Sequence, residues 1–296
     1  MKVFVTGASG FIGSAVVKEL LAAGHKVVGL ARSAQSAKAI TDAGAEALTG
    51  SLDDLDILQQ AAAQADGVIH TAFIHDFTQY MQAAAKDKAA IEAIGEVLAG
   101  TDKPIVVTGG VLGLSTTNGF ATEADGTLPG GPRASESAAM ALAEAGIRAS
   151  VIRLPPCVHG FDGNTFKAGF GSVLIQMAKQ KGVSAYIGEG SNRWSAVHRE
   201  DAARLFRLAM EKAAQGGRYN GIGDQGIALK EIAEAIGQKL QLPVKSVTPE
   251  EAMVHFDVMG RFFVLDGAAT SYATQEQLGW KPTHIGLLED MQQHEL

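Results

Sequence analysis

The sequence predicts an α/β fold: a doubly wound parallel sheet with a smaller mixed α/β lobe built from later segments. Three observations lead there. Short β-branched runs alternate with amphipathic helical stretches from Lys2 to Arg153, the pattern of parallel strands covered on both faces. The stretch Thr6-Gly7-Ala8-Ser9-Gly10-Phe11-Ile12-Gly13 joins the first strand to the first helix. Glycine makes up 35 of 296 residues, about 12% against a usual share of about 7%, which suits many tight strand-to-helix turns.

Lys2 to Val5 has the β-branched and aromatic content of a buried strand. From Phe11 to Ala23 the apolar residues fall at helical spacing. A strand turning over glycines into a helix leaves amide N–H groups pointing at the turn, with the helix dipole behind them, a site suited to a diphosphate. Gly7 permits the turn, Gly10 lets the backbone approach the phosphates, and Gly13 lets helix and strand pack closely. A bound dinucleotide and a Rossmann-type sheet are therefore expected. Val27 to Leu30 is a second strand ending at Arg32-Ser33. An acidic residue there would bond the 2′-hydroxyl of NAD, and an arginine with a hydroxyl neighbour suits the 2′-phosphate of NADP. NADP(H) is expected over NAD(H); the alternative is a solvated arginine opening the next helix.

Ser33 to Ala43 reads as that helix, Glu46 to Leu48 as a third strand, and Gly50-Ser51-Leu52-Asp53-Asp54 as the opening of a helix through Ala63. Asp53 or Asp54 is expected as an N-terminal helix charge. Gly67 to His70 is a fourth strand, and Thr71-Ala72-Phe73 leaves it at the carboxyl edge, where ligands bind. Met81 to Leu98 is a long helix, Ile105 to Val107 a fifth strand, Pro132 to Ala145 an alanine-rich helix, and Ala149 to Arg153 a sixth strand before the breaker Pro155-Pro156. Beyond it, Asn164 to Lys181 reads as helix, Ala185 to Ile187 and Trp194 to His198 as strands, Asp201 to Ala213 as helix, Gly217 to Asn220 as a return to the sheet, Leu229 to Leu240 as helix and Val244 to Val247 as strand. The expected division is a dinucleotide core of 1–154 and 196–225, with a substrate lobe of 155–195 and 226–296.

Hydrophobic residues at 46% and charged residues at 19% fit a soluble globular chain. A net charge of −7 argues against a nucleic-acid or anionic-membrane surface. Cys157 is the only cysteine, so no intrachain disulfide or cysteine-rich metal site is expected. The N-terminus enters the first strand at once and no apolar run has the length of a membrane span, so a cytoplasmic location is expected. A homodimer stays open as an assembly.

Thr6 to Gly13 resembles the TGxxGxxG signature of the extended short-chain dehydrogenase/reductase superfamily, in its sugar-nucleotide epimerase and dehydratase branch. His70-Thr71-Ala72 resembles the stretch along the cofactor, and Arg153 to Gly160 stands for the segment beside the nicotinamide. Asn192 to Asp201 resembles the segment leading into a helix after the substrate region. The resemblance thus implies a cofactor set of Gly7, Ser9, Gly10, Phe11, Ile12, Gly13, Arg32, Ser33, Ser51, Leu52, Thr71, Ala72, Phe73, Pro156 and Val158. One departure stands out. The superfamily's Tyr-x-x-x-Lys pair opens the helix that here reads Pro132-Arg133-Ala134-Ser135-Glu136-Ser137-Ala138, without tyrosine or lysine. The chain looks like an atypical member that keeps the cofactor site and lacks the standard catalytic pair.

Reduction of a carbonyl or imine needs a group that protonates or polarises the acceptor. Thr108 matches the serine that usually follows the fifth strand, or it caps a turn. Arg133 falls at the tyrosine's place and could stabilise an oxyanion, or it is a surface arginine. His159 lies in the nicotinamide-side loop and titrates near neutral pH, or it is structural. On the substrate side, His75 could pair with Asp76, Tyr186 offers a phenol, and Arg193 could bind an anionic group, as an arginine does in the sugar-nucleotide enzymes. His198 and Asp201 read as structure, Asp201 capping the helix and His198 packing beneath it. No spacing suggests a metal and no Gly-x-Ser-x-Gly elbow a hydrolase. The expected function is an NADP-dependent oxidoreductase of a small carbonyl compound with a non-standard proton donor, with an epimerase or dehydratase retaining its cofactor as a variant. The alternative is an NADP(H)-binding sensor without catalysis.

Overall fold

The computed structural model describes residues 1–76, 78–114, 116, 119–127 and 134–296. β1 (Lys2–Thr6) leads to α1 (Phe11–Ala22), β2 (Lys26–Ala31), α2 (Ala34–Asp42), β3 (Glu46–Thr49), α3 (Leu55–Gln64) and β4 (Gly67–His70). Then come α4 (Tyr80–Leu98), β5 (Ile105–Gly110), α5 (Ser135–Glu144) and β6 (Ala149–Leu154). The later chain forms β7 (Cys157–Asp162), β8 (Thr165–Lys167), α6 (Phe170–Lys181), β9 (Ser184–Ile187), β10 (Arg193–His198), α7 (Arg199–Lys212) and β11 (Arg218–Asn220). It ends through β12 (Asp224–Ala228), α8 (Leu229–Leu240), β13 (Val244–Val247), α9 (Pro249–Phe256), α10 (Gly260–Phe263), α11 (Tyr272–Leu278) and α12 (Leu287–Gln293).

Seven strands make one sheet in the order β11-β6-β5-β4-β1-β2-β3, every neighbouring pair parallel. Strand order reverses at β1, between β2 and β4, so the crevice that receives ligands in such sheets lies at the carboxyl end of β1. Alternation along β1 divides the core. Val3 and Val5 join Leu20, Ile152 and Phe206 in one apolar cluster, while Phe4 joins Ile91, Ile94 and Val151 in another. Both faces of the sheet are thereby covered, as a fully buried strand requires.

β12-β10-β7-β8 form a second sheet and β13-β9 a third. A third cluster unites Cys157, Leu174, Trp194, Ile232, Phe256, Phe263 and Met291. Val158 and Val197 turn the other way, into the cluster of Val5 and Ile152. Strands β7 and β10 therefore feed two cores at once.

Several features differ from the sequence reading, β7, β12 and α9 to α12 among them, and two bear on the site. The helix expected over 164–181 starts only at Phe170, because Thr165–Lys167 pairs antiparallel with β7 across Gly163-Asn164. Gly169, at φ +56°, separates strand from helix, and a Cβ there would stand 2.4 Å from the Pro156 carbonyl oxygen. Asp201 does not cap α7. His198 does, its ring accepting the Glu200 N–H at 3.3 Å. The buried Asp201 carboxylate instead accepts the N–H groups of Thr283 and His284, each at 3.0 Å. Burial raises its pKa, but the His284 and Thr283 bonds outweigh that and leave it below the usual carboxylate range. No helix among the described residues is long and apolar enough to cross a membrane.

Candidate active site

The glycines between β1 and α1 have distinct duties. Gly7 sits at φ +70°, and a Cβ on it would lie 2.8 Å from both the Ala72 nitrogen and the Thr71 hydroxyl. A Cβ on Gly13 would be 2.0 Å from the Gly7 carbonyl oxygen, a clash with backbone that no rotamer relieves. Gly10 is exposed, and a Cβ there would meet only the Gly7 oxygen, at 3.2 Å. Gly10 is the N-cap of α1 and no side chain caps that helix, so the amides of Phe11, Ile12 and Gly13 are in the position that favours an anion. Ser9 is exposed beside them. Arg199, which the sequence reading passed over, donates to the Ser14 hydroxyl at 2.8 Å, and its guanidinium lies 4.5 Å from the centre of the Phe11 ring.

Arg32 is exposed just beyond β2. Ser33 beside it caps α2, accepting the Ser36 N–H at 3.1 Å. Ser51 gives both its N–H and its hydroxyl to Asp54, at 2.8 Å each, which holds that carboxyl below its usual range. Leu52 is half-buried, and Asp53 pairs with Lys86 at 2.7 Å.

A buried polar chain runs beneath the crevice. The Thr71 hydroxyl donates to the Thr6 carbonyl at 2.7 Å, and the Ala72 N–H donates to the Thr6 hydroxyl at 3.3 Å. That hydroxyl meets His70 Nδ1 at 2.9 Å, His70 Nε2 meets Asp87 at 3.0 Å, and Ser135 donates to Asp87 at 2.5 Å. Thr6, His70, Asp87 and Ser135 are each at most 1% exposed. At the start of α5, Glu136 binds Arg153 through two hydrogen bonds, at 2.8 and 2.5 Å, and Arg218 joins it at 3.1 Å. The first turn that carries the superfamily's catalytic pair elsewhere is here a buried anchor to α4, β6 and β11.

The expected catalytic residues fare differently. Thr108 stands near the end of β5, but its hydroxyl donates to the His70 carbonyl at 2.8 Å. Arg133 lies outside the described residues. His159 is not in a loop. It is the third residue of β7, and strand alternation turns it away from the Val158 side toward α12, where Nδ1 meets Asp290 Oδ2 at 2.6 Å. His75 is exposed with its ring edge-on to Phe73, 5.4 Å between centres, while Asp76 accepts from the Thr78 hydroxyl and N–H at 2.6 and 3.0 Å. Tyr186 lies on β9 in the two-stranded sheet, beneath Lys230. Arg193 is already paired with Asp266, at 2.7 and 3.2 Å, donates to the Gly119 carbonyl at 2.6 Å and stacks on Phe120. Pro156 is buried, its carbonyl accepting the Phe170 N–H.

Tyr80 was not singled out from the sequence. It opens α4 directly after the loop leaving β4, with its ring 5.7 Å from Phe73 and 6.4 Å from Phe262 of α10. Phe262 continues to Phe170, at 5.6 Å. The other phenols are placed elsewhere: Tyr219 accepts the Ala214 N–H, Tyr272 accepts from Gln225, and Tyr186 is on the outer lobe. Among the sequence signals only proximity to the β4 exit pointed to Tyr80.

An all-parallel sheet with an uncapped, glycine-lined helix start at its switch point defines a dinucleotide-dependent α/β enzyme. A family profile described as the NAD dependent epimerase/dehydratase family matches residues 3–95. An uncharacterized protein of Schizosaccharomyces pombe, C2A9.02, is 49% identical over 293 residues, which is 98% of either chain. The crystal structure of a dTDP-glucose 4,6-dehydratase from Streptomyces venezuelae superposes with a TM-score of 0.78 at 19% identity, covering 99% of this chain and 96% of that one. UDP-glucose 4-epimerase from Thermotoga maritima gives a TM-score of 0.79 at 19% identity, covering 98% and 96%. At such identities the two structures share the fold. The chain belongs to the NAD-dependent epimerase/dehydratase family of the extended short-chain dehydrogenase/reductase superfamily, a family of NAD(P)-dependent enzymes.

Proposed function

We propose that this chain reduces a small carbonyl or related compound with NADPH, using a proton donor other than the superfamily's tyrosine. The observation that carries the cofactor choice is the end of β2, where Arg32 is exposed with Ser33 beside it and no adjacent carboxylate. Ser33 already serves α2, so the 2′-phosphate falls chiefly to Arg32. The diphosphate would be held by the α1 amides behind Gly10, with Ser9 alongside and the Arg199 charge near Phe11. Thr71, Ala72, Phe73, Pro156 and Val158 complete the proposed cofactor side, with Ser51 and Leu52 toward the adenine.

NADPH, when bound, supplies a hydride to the carbonyl carbon. Tyr80 is the phenol best placed to give the oxygen its proton, and Phe73, Phe170 and Phe262 would exclude water around it. Thr108 holds the β4–β5 edge through the His70 carbonyl. The engagement of Arg193 by Asp266 favours a small uncharged substrate over a sugar nucleotide, whose diphosphate needs a free cation.

The test is an absorbance assay of NADPH and NADH oxidation over a panel of aldehydes, ketones, quinones and imines, with binding measured by calorimetry. NADPH should bind the tighter, by the roughly 1.5–3 kcal/mol of a charged hydrogen bond, and Arg32→Ala should erase that margin. Tyr80→Phe should lower turnover on the order of 10²–10⁴-fold with cofactor affinity kept. Equal affinities for the two cofactors would refute the preference, and full turnover by Tyr80→Phe would remove Tyr80. One observation favours a sensor instead, the use of Ser135 and Glu136 in buried contacts. Tight NADPH binding with no turnover of any panel member would establish that reading.

A further inference from the structure

The β7–β8 hairpin brings charge to the first turn of α1. Its cross-strand partners are Gly160 with Lys167, Phe161 with Phe166 and Asp162 with Thr165, and partners share a face of the ribbon. The two phenylalanines turn to the lobe, Phe166 within its core and Phe161 packed against it. Asp162 and Lys167 therefore share the face of Val158, which enters the cluster of Val5 and Ile152. Opposite Lys167 the strand carries no side chain, and Arg199 fills that space: a Cβ on Gly160 would stand 3.0 Å from Arg199 Cγ. The Arg199 guanidinium lies 4.5 Å from the centre of the Phe11 ring, and Lys167 Nζ comes within 5.8 Å of the same centre. Phe11 is the first residue of α1. Two cations thus lie over the ring of the residue whose amide heads the uncapped helix.

Two further features point to an anion. Arg199 is only 6% exposed. It donates to the Phe161 carbonyl and the Ser14 hydroxyl, neither of them charged, and its Nε is buried without a hydrogen-bond partner. A buried cation with no bonded counter-charge is costly, and an anion placed beside it relieves that cost. Second, the Asp162 carboxyl is held below its usual range, first by the Lys167 bond and, against the raising effect of burial, by the charges of Lys167, Arg199 and Lys18. Three cations share one hairpin carboxylate, while Glu200 is turned to His284 at 3.2 Å. The Lys167 and Asp162 side chains are 41% and 46% exposed, so their pair is weak and Lys167 is free to turn.

We propose that Lys167 binds the dinucleotide diphosphate, leaving Asp162 when the cofactor arrives, with Arg199 as a fixed charge behind Phe11. The assignment rests on the placement of the diphosphate at the α1 amides. An ammonium on a flexible stem suits a phosphate oxygen as a point charge. Asp162 competes for that ammonium and repels the incoming anion, so it works against binding.

Full-length protein and its variants are titrated by calorimetry with NADPH, NADH and adenosine 2′-monophosphate. Both dinucleotides carry the diphosphate and the monophosphate does not. Lys167→Met should weaken NADPH and NADH by the same factor, roughly tenfold, and leave adenosine 2′-monophosphate unchanged. Lys167→Arg should keep most of the affinity. Asp162→Asn should do the opposite of Lys167→Met and tighten both dinucleotides. An ion pair that only held the hairpin together would be broken by either substitution, and both would weaken binding. Affinities moving in the same direction, a loss confined to NADPH, or Lys167→Met binding like the parent would each overturn the assignment. A parent that binds neither dinucleotide would fell the placement at α1 and this contact with it. Binding abolished by Gly10→Val but untouched by Lys167→Met would spare that placement and remove Lys167 alone.

Discussion

Gly10 and Gly13 are three positions apart and fail in different ways. A methyl on Gly13 meets backbone at 2.0 Å, so Gly13→Ala must push α1 off the β1 turn. It should cost stability on the scale of overpacking, about 1–3 kcal/mol, visible as a lower urea midpoint. Gly10→Val leaves that packing alone and fills the space in front of the α1 amides. It should lower the urea midpoint by less than Gly13→Ala does, since a Cβ there stands 3.2 Å from the Gly7 oxygen against 2.0 Å at Gly13, while NADPH affinity falls beyond detection by calorimetry. Unchanged affinity in Gly10→Val would displace the diphosphate from this turn. The sequence disclosed both glycines because turn chemistry is local. It could not disclose His159, whose partner Asp290 is 131 positions away, nor the turning of its ring to the α12 side.

At the scale of elements, α7 is fastened to α1 by apolar packing and also by charge. Arg207 bridges Glu19 and Glu211, at 2.7 and 3.0 Å, and Glu211 also meets His25 at 3.0 Å. Burial raises the Glu211 carboxyl, but the His25 and Arg207 bonds more than offset it and leave the folded pKa below 4.5. A depressed carboxylate stabilises the fold above its unfolded pKa, and the contribution disappears as pH falls through the folded value. Glu211→Gln should therefore be less stable than the parent at neutral pH and should lose less stability on acidification below about pH 4.5. Urea unfolding at both pH values reads the difference, and parallel acid limbs would exclude Glu211 from the linkage. The longer helices as far as α8 were legible because apolar spacing of 3.6 is written in each segment, whereas α9 to α12, of four to eight residues each, are too short to show the period and were not read. The β7–β8 hairpin was not, since three strand residues beside a turn look like the start of α6.

For the molecule as a whole, β7 decides how the parts communicate, because alternate residues enter different cores. Cys157 lies on the lobe side and is fully buried. Its thiol is pushed up to about 12, burial being the main cause. The thiolate that reacts with alkylating agents is absent at neutral pH. Native protein should be inert to maleimide for as long as the lobe stays packed and react within minutes in denaturant. The native rate should fall further when NADPH binds, if the cofactor steadies both cores. Rapid labelling of folded protein would show the lobe opening locally. The alternation of strands and helices announced the large sheet, since each βαβ unit is nearly self-contained. The lobe drew its core from 157–196 and 229–291, a long-range assembly that no single segment encodes.

The buried chain from Ala72 to Ser135 joins parts of the molecule that are distant in sequence. The His70 ring is held at both nitrogens, Nδ1 by the Thr6 hydroxyl at 2.9 Å and Nε2 by Asp87 at 3.0 Å, and Ser135 donates to the same carboxylate. The imidazole beneath the crevice is thus a brace: it ties the end of β1 to α4 and, through Asp87, to the first turn of α5, so the floor under the glycine turn and the two helices shift together or not at all.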